Sequence, residues 1–332
     1  MVTMQSSMIV TLVGIVCCAW FIERSYAYPR NSDEVDCSQF TDDRDVIRQF
    51  PFPIAEYEGE SFLEHSVVSI DEDTNMASSI FFYKEEIVPP SVYCLSQLSI
   101  LSISRTPFPK GNVQMIFVKM CSVIECGFAP LIGIIPDTLL KLKNLTYFSV
   151  SSTKIVKGFE KLTKLPKLET LVLDNCSLTS LPNLNNLPNL GALLVENNNL
   201  TDIFDIPGVQ YLDLNGNQLK NIPMTRDPDR LIGLGMSGNP LSSAATIMLY
   251  KNLEDINLSG TGIYSIPATI DRLRNVTRLE LSDNNLTHLP TNIRNLRQLE
   301  LLDIKNNLLS KRNIESIRLS FEKSHPELQI KY

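Results

Sequence analysis

Histidine and tryptophan are scarce in this chain of 332 residues, which has three histidines and one tryptophan. The histidines, His65, His288 and His325, lie far apart in the sequence, so they form no metal-ligand motif. The patterns GxSxG, HExxH and paired CxxC are also absent. The acidic run at 71–73 lacks the spacing of a calcium loop. The sequence therefore predicts no catalytic residues, no metal site, no cofactor and no enzyme.

An excess of basic residues is lacking as well, since the formal net charge is −7 and the isoelectric point is near 5.2. This balance argues against a chain built mainly to bind nucleic-acid phosphates. The acids are concentrated in 33–86, which carries 15 acidic and 3 basic residues. This acidic front and the remaining chain are expected to form different regions.

Long apolar runs are limited to one, from Met8 to Ile22. Its 15 residues match the core of a signal peptide and are short for a membrane span. Ser25 and Ala27 supply small residues for cleavage after Ala27, which predicts residues 1–27 as a signal peptide and a secreted protein. No Lys or Arg precedes the run, so an uncleaved N-terminal membrane anchor is the alternative.

Five cysteines remain after that cleavage, and export permits disulfides. We predict a disulfide between Cys37 and Cys94 that clamps the acidic front. An odd count leaves at least one thiol free or paired between chains. The alternative is that all five cysteines are small buried residues.

A repeat of the form LxxLxLxxNxL, in which other apolar residues replace Leu, is the strongest pattern in the chain. From Leu145 onward the copies start 23, 22, 19, 22, 22, 23 and 23 residues apart. A proline recurs nine residues before several starts, at Pro89, Pro136, Pro267 and Pro290. The copies begin at Leu98, Val113, Leu145, Leu168, Leu190, Val209, Leu231, Leu253, Val276 and Leu299.

The period-2 alternation within each copy predicts a strand with one buried face. The polar residue at position nine is expected to point inward and to bond the backbone of neighbouring turns, because an unpaired buried group costs about 1–3 kcal/mol. This ladder comprises Asn198, Asn217, Asn239, Asn284 and Asn307, with Thr106, Cys121, Thr153, Cys176 and Thr261 in the other copies.

The repeat resembles the leucine-rich-repeat family over residues 88–310. The resemblance implies an α/β fold, a solenoid or horseshoe with a parallel sheet on its concave face and capped ends. We expect about ten repeats at 88–310, an acidic N-terminal cap region at 28–87 and a C-terminal cap at 311–332. Ile314, Ile317 and Phe321 have helical spacing, and a short strand, LQIKY, is expected after them.

Residues at positions three and five of each copy point away from the core and would line the concave surface. We predict that a partner docks an apolar element on the first half and a basic element on the acidic second half. The alternative is that the cap or the insertion at 124–132 covers the apolar half. The predicted ligand-binding residues are Met115, Phe117, Tyr147, Val172, Leu194, Tyr211, Asp213, Asp255, Arg278, Glu280 and Asp303.

Six N-x-S/T sequons occur, and in an exported protein they are candidate glycan sites. Asn257 and Asn175 would lie on or beside the concave face, where glycans would obstruct it. We therefore predict glycosylation at the four others: Asn144, Asn199, Asn275 and Asn285.

Two further patterns have ordinary explanations. The GxGxxG at 233–238 coincides with core and ladder positions of a repeat, so it does not predict a dinucleotide site. The lysines between Lys141 and Lys167 indicate a solvated face, with a polyanion site or docking of the acidic front as alternatives.

The resemblance implies a secreted, non-enzymatic recognition protein that binds a protein or a glycan, with no nucleic acid and no membrane span after signal cleavage. The alternatives are an intracellular scaffold or adaptor and a membrane-anchored receptor ectodomain. The export signal favours the first class. The absence of a cysteine-rich C-terminal flank favours the intracellular alternative.

Overall fold

The computed structural model describes residues 35–57, 65–108, 132–322 and 325–332. The predicted signal peptide and cleavage site, the sequence from Val113, and Met115, Phe117, Cys121 and Cys126 lie outside these residues. Most of the described chain belongs to one sheet of 13 strands.

The strands are short and follow one another along the chain. They are β1 Ala55–Glu56, β2 Val67–Ile70, β3 Ala77–Tyr83, β4 Ile100–Ser104, β5 Ile132–Ile134, β6 Tyr147–Ser151, β7 Lys154–Lys157, β8 Thr170–Asp174, β9 Ala192–Leu194, β10 Tyr211–Asp213, β11 Gly233–Gly235, β12 Asp255–Asn257, β13 Arg278–Glu280, β14 Leu301–Asp303 and β15 Gln329–Lys331. The main sheet has the order β1-β2-β3-β4-β6-β8-β9-β10-β11-β12-β13-β14-β15, and β5 pairs with β7 separately. Within the main sheet β2 and β3 are antiparallel, and the other neighbouring strands are parallel.

Helices are few in the described chain. The α-helices are α1 Asp43–Arg48, α2 Phe159–Leu162 and α3 Lys311–Glu322. Short 3₁₀ helices cover Cys37–Gln39, Pro90–Cys94, Asp137–Lys141, Pro228–Arg230, Ala245–Leu249, Ile270–Arg272 and Thr291–Asn295.

The recurring prolines lie where the chain, between two strands of the main sheet, enters a 3₁₀ helix. Pro89, Pro136 and Pro290 each stand immediately before such a helix in extended backbone. Pro267 accepts a turn hydrogen bond from the N–H of Ile270, the first residue of the helix in that repeat. Proline fits there because it restricts φ and needs no N–H partner.

The core of the sheet is formed by the inward residues of successive strands, stacked in register. Leu171 pairs with Leu193, and Leu193 with Leu212, and all three side chains are buried. No single repeat could bury these side chains alone, so the stacking itself creates the core. The predicted parallel-sheet solenoid is confirmed.

The predicted polar ladder is confirmed at its described positions. The Asn239 side chain accepts from the N–H of Leu219 and donates to the carbonyls of Leu214 and Met236. Equivalent bonds are made by Asn198, Asn217, Asn284 and Asn307. Thr106, Thr153, Thr261 and Cys176 bond backbone carbonyls from the same position.

The residue before each described ladder position has a positive φ, between 51° and 70°, as in Asn197, Gly216 and Gly238. The chain leaves each strand through this left-handed residue. Asn and Gly tolerate this conformation best, which explains their frequency in the repeat.

The strand order shows which described copies of the repeat are adjacent in the sheet. Strands β4 and β6 are hydrogen-bonded neighbours, with Ser102 opposite Ser149, so no strand lies between them. The copy that begins at Val113 lies outside the described residues, so the strand expected there and the positions of Met115 and Phe117 stay predictions.

The sheet also begins earlier than the repeat pattern indicates. Strand β3 pairs in parallel with β4, with Phe81 opposite Ser102 and Phe82 opposite Ile103. The buried Phe82 packs against buried Phe50 and half-buried Phe52, at ring-centroid distances of 5.7 and 5.8 Å. A disulfide joins Cys37 to Cys94, as predicted.

At the other end, α3 and β15 form over the predicted C-terminal segment. The helix buries Ile317 and Phe321, whereas Ile314 is half-buried. Strand β15 pairs with β14. His325 is buried under Phe321, and its Nε2 lies 2.7 Å from the carbonyl oxygen of Leu296, so it stabilises the end of the sheet.

Candidate ligand-binding surface

The side of the main sheet that faces away from the core carries the candidate site, and we call it the outer sheet face. Along each strand, side chains alternate between this face and the core. In β8, Thr170, Val172 and Asp174 are half-buried, whereas Leu171 and Leu173 are fully buried. The outer sheet face therefore presents the third, fifth and, in the longer strands, seventh position of each repeat.

Register places these positions in columns across the sheet. The third-position column runs from Tyr147 through Tyr211, and the fifth-position column from Ser149 through Leu194. The third-position residues from β6 to β14 are Tyr147, Thr170, Ala192, Tyr211, Gly233, Asp255, Arg278 and Leu301. The fifth-position residues are Ser149, Val172, Leu194, Asp213, Gly235, Asn257, Glu280 and Asp303.

The apolar part of this face lies on β6, β8, β9 and β10. Tyr147, Val172 and Leu194 are half-buried, and Tyr211 is 48% exposed. On β6, Ser149 is buried and Tyr147 is half-buried, so Tyr147 contributes more of the accessible surface at this point of the outer sheet face. These four predicted residues share one continuous surface, because their strands are consecutive in the sheet.

Strand β11 has glycine at both outer positions. The ring of Tyr211 lies against Gly233, and the carboxylate of Asp213 lies over Gly235. The GxGxxG pattern therefore belongs to a strand and the turn after it. Gly233 and Gly235 give room to the side chains of β10.

The acidic half of the face is largely neutralised within the protein. Arg278 Nε lies 3.7 Å from Asp255, and Arg278 Nη2 lies 3.4 Å from Glu280. Lys331 of β15 lies 3.7 Å from Asp303. Three of the four acids expected to attract a basic element therefore have a cation partner already.

Asp213 differs, because its neighbours are carboxyl groups. Burial, together with the nearby charges of Asp213 and Asp174, raises the pKa of Glu196 to about 7. Burial also raises the pKa of Asp213. The hydrogen bond that its Oδ1 accepts from the Asn215 N–H, at 3.0 Å, lowers this pKa but is the smaller effect. Among the described residues, Asp174, Glu196 and Asp213 form no ion pair within 4.0 Å.

Sequence reasoning missed Asp174 and Glu196 because only positions three and five were assigned to this face. Both residues stand at position seven. Asp174 is the last residue of β8, and Glu196 lies two residues after the end of β9, where Val195 and Asn197 still donate backbone hydrogen bonds to the next repeat. Phe81 was missed for another reason, since β3 lies before the recognisable repeats. It stands on the outer sheet face opposite Ser102.

The predicted glycosylation sites differ in how their side-chain amides are engaged. Asn144 donates to Ser96 and accepts from Lys167, and Asn285 donates to the Gly262 carbonyl. Asn199 is exposed and Asn275 half-buried. Asn257 lies on the outer sheet face, where its Oδ1 accepts from the Ser259 N–H.

No group of three or more metal-ligand side chains comes together within the described residues. In the same part of the chain, no helix combines the length and the apolar character needed to cross a bilayer.

These features define a class: a parallel-sheet solenoid of short repeats with an inward polar ladder and an open outer face. The Leucine Rich Repeat family model matches residues 275–296. The repeats of this chain are therefore leucine-rich repeats, and they form a leucine-rich-repeat solenoid.

Comparison with solved structures agrees on the fold. The chain is similar to internalin InlF from Listeria monocytogenes, with 16% identity, a TM-score of 0.51, and coverage of 76% of this chain and 79% of the internalin. It is also similar to a plant peptide hormone receptor, RGFR1, solved in complex with RGF2, with 18% identity and a TM-score of 0.50. That match covers 69% of this chain and 36% of the receptor. No curated protein sequence matches the chain significantly.

Proposed function

We propose that this chain is a secreted, non-enzymatic recognition protein that binds a protein partner on the outer sheet face. The observation that carries the proposal is the apolar surface of Tyr147, Val172, Leu194 and Tyr211, with Tyr211 48% exposed. Exposed apolar surface that contains tyrosine is characteristic of protein-binding sites. The similar plant receptor, solved with RGF2, supports a peptide or protein as the partner class.

Export is supported by the predicted signal peptide and by the disulfide between Cys37 and Cys94, since disulfides persist in oxidising compartments. N-glycans would then follow at Asn199 and Asn275, which make no side-chain hydrogen bond among the described residues, and at Asn144 and Asn285. All four lie outside the strands of the main sheet, so glycans there are compatible with binding on the outer sheet face.

Binding is tested by probing an array of extracellular protein domains with multimerised wild-type protein. The matched variants are Tyr211→Ala, on the outer sheet face, and Tyr264→Ala, which alters a tyrosine that is 73% exposed outside the strands. We expect Tyr211→Ala combined with Tyr147→Ala to abolish binding to the domains recognised, and Tyr264→Ala to leave it intact. Retention of all binding by the double variant would refute the surface assignment.

Export is tested by the N-terminal sequence and intact mass of protein from eukaryotic cells, before and after glycan removal. We expect secreted protein that begins at Tyr28 and loses mass on deglycosylation, with Asn199→Gln and Asn275→Gln each removing one glycan. Protein that retains Met1 in the cell lysate without glycans would contradict secretion. Glycosylated, membrane-bound protein with Met1 would select the anchored alternative.

A further inference from the structure

The outer sheet face divides into two parts according to whether its acids are paired. On β12–β14, Asp255 and Glu280 share Arg278, and Asp303 has Lys331. The carboxylates of Asp174 on β8, Glu196 just after β9 and Asp213 on β10 have no such partner among the described residues. The three acids of the first group have two cations between them, whereas the three of the second group have none, so most of the uncompensated negative charge lies at the middle of the face.

These carboxylates border the apolar surface directly. Asp213 stands opposite Leu194 in the register of β9 and β10. Asp174 and Glu196 stand two residues beyond Val172 and Leu194, respectively, with one inward residue between each pair. An extended segment crossing these strands would therefore meet apolar side chains and carboxylates side by side.

Tyr211 completes the same patch. It stands two residues before Asp213 on β10, and its ring packs against Gly233, where no side chain covers it from β11. An aromatic ring beside carboxylates favours a cation, because the ring face is electronegative and carboxylates accept guanidinium or ammonium hydrogen bonds.

The groups around Glu196 show why a positively charged partner group would bind favourably there. The nearby charges of Asp213 and Asp174 both disfavour the ionised form of Glu196. The polar side chains around them are Asn197, which donates to Asp174 at 2.9 Å, and Asn215. Asn215 directs its side-chain oxygen to the Ser237 N–H, 2.7 Å away. These neighbours supply no positive charge, so an incoming cation would relieve the repulsion among the carboxylates.

We propose that Val172, Leu194 and Tyr211, together with the carboxylates of Asp174, Glu196 and Asp213, dock an extended partner segment that carries arginine or lysine beside an apolar side chain. The inference rests on the proposed function, since it specifies the partner chemistry of that same face. It differs from the expectation drawn from sequence, which placed the basic contact mainly on acids that the structure finds paired.

The test uses a phage-displayed library of random 12-residue peptides, selected at pH 8 on the wild-type full chain. We expect the enriched peptides to place Arg or Lys next to an aliphatic or aromatic residue. The enriched peptides are synthesised, and their affinities are measured by fluorescence anisotropy. The variant Glu196→Gln/Asp213→Asn should weaken binding roughly tenfold or more, as loss of charge-assisted hydrogen bonds predicts.

Two controls test whether the loss of affinity comes from the charges of Glu196 and Asp213. The variant Asp229→Asn/Glu315→Gln removes the same two charges away from the outer sheet face and should change the affinity by less than about twofold. A peptide with citrulline in place of arginine should lose affinity for the wild type to the same extent as the acid variant does. Thermal melting of each variant checks that the isosteric substitutions leave the fold intact.

Results that contradict the basic-segment inference differ from results that contradict the proposed function. Peptides that lose binding with Leu194→Ala or Tyr211→Ala, but not with the acid variant or with citrulline, would overturn the basic-segment inference and leave the proposed function standing. Enrichment that depends on added calcium would also overturn it. Peptides that respond to no variant of the outer sheet face, Tyr147→Ala included, would overturn both proposals.

Discussion

The carboxylate of Asp213 fills the space that a side chain on Gly235, its neighbour on the next strand, would need. A Cβ on Gly235 would lie 2.5 Å from Oδ1 and 2.8 Å from Cγ of Asp213. Tyr211 has the same relationship to Gly233, where a Cβ would lie 2.8 Å from its ring Cδ1. Glycine at both outer positions of β11 is therefore what lets the side chains of β10 lie along the face.

This relationship predicts that Gly235→Ala destabilises the protein. The new methyl group would displace the Asp213 carboxylate and weaken the hydrogen bond it accepts from the Asn215 N–H. We expect the free energy of unfolding to fall by about 1 kcal/mol, measured by urea denaturation.

The control is Gly191→Ala at an open position. A Cβ there would make only ordinary contacts, at 3.7 Å from Gln210 and 3.8 Å from Glu169. This substitution should be neutral or stabilise by up to about 1 kcal/mol, since alanine restricts the unfolded chain. Equal stability of the two alanine variants would show that Asp213 accommodates the methyl group without cost.

The polar ladder predicts a large effect for Asn239→Ala. Asn239 is fully buried, and its loss leaves the Leu219 N–H and the carbonyls of Leu214 and Met236 without this partner. We expect a loss of about 1–3 kcal/mol in the free energy of unfolding, because the buried Leu219 N–H is left unsatisfied and such a group costs about 1–3 kcal/mol, whereas the Leu214 carbonyl still accepts from Asn217 and the Met236 carbonyl from the backbone N–H of residue 239.

Asn252→Ala provides the matched control in the same denaturation experiment. Asn252 is exposed, and its amide donates to the Asp229 carbonyl at 2.7 Å. Its removal should cost no more than about 0.5 kcal/mol, because water can replace the lost bond. Comparable losses at both positions would contradict the role assigned to the ladder.

The repeat itself made most of the fold predictable. Inward leucines, the ladder and the prolines recur at a fixed period, so each local signal agrees with the others. The correct placement of Tyr147, Val172, Leu194 and Tyr211 on one face follows from the alternation alone. Asp213, Asp255, Glu280 and Asp303 were placed on the same face in this way, whereas Asp174 and Glu196 were missed.

Ion pairs between strands, and the pairing of particular strands, could not be predicted in the same way. Arg278 reaches Asp255 on the preceding strand, and Lys331 reaches Asp303 from β15, which lies outside the repeats. The direct pairing of β4 with β6 joins copies that are 47 residues apart, and the repeat pattern alone does not give that pairing. Strand β3 carries alternating buried residues without the leucine signature, so sequence reasoning assigned it to a cap.

The disulfide predicts a localised loss of stability in Cys37→Ser/Cys94→Ser. The two cysteines are 57 positions apart in the sequence. Removal of their disulfide should therefore lower the free energy of unfolding by about 2–4 kcal/mol. Hydrogen exchange should become faster at β2 and β3 and remain unchanged at β12–β14, since a solenoid loses structure repeat by repeat.

Ser38→Ala serves as the control for this variant. The Ser38 hydroxyl is exposed and bonds only the adjacent Asp36 carboxylate among its described contacts, so exchange should match the wild type. Ready alkylation of Cys37 and Cys94 in the native, unreduced wild-type protein would contradict the disulfide.

The carboxyl pair on the outer sheet face predicts how stability depends on pH. Glu196 has a pKa of about 7 in the folded protein, above its ordinary value of 4.5. Between these values the folded chain binds more protons than the unfolded chain, so stability falls as the pH rises through this interval. Glu196→Gln removes the repulsion with Asp213 and Asp174, so the variant should be more stable than the wild type at pH 8. Below pH 4.5 the difference should vanish, because Glu196 is then protonated in both states.

Thermal melting at pH 8 and pH 4 measures this difference, with Glu300→Gln as an exposed control. We expect Glu196→Gln to raise the melting temperature at pH 8 by about 2 °C, which a change on the order of 1 kcal/mol produces in a chain of this size. The magnitude is kept small because solvent screens a partly exposed carboxyl group. Glu300→Gln should leave the melting temperature unchanged at both pH values. A stabilisation of Glu196→Gln that is equal at pH 8 and pH 4 would show that its origin is packing rather than charge.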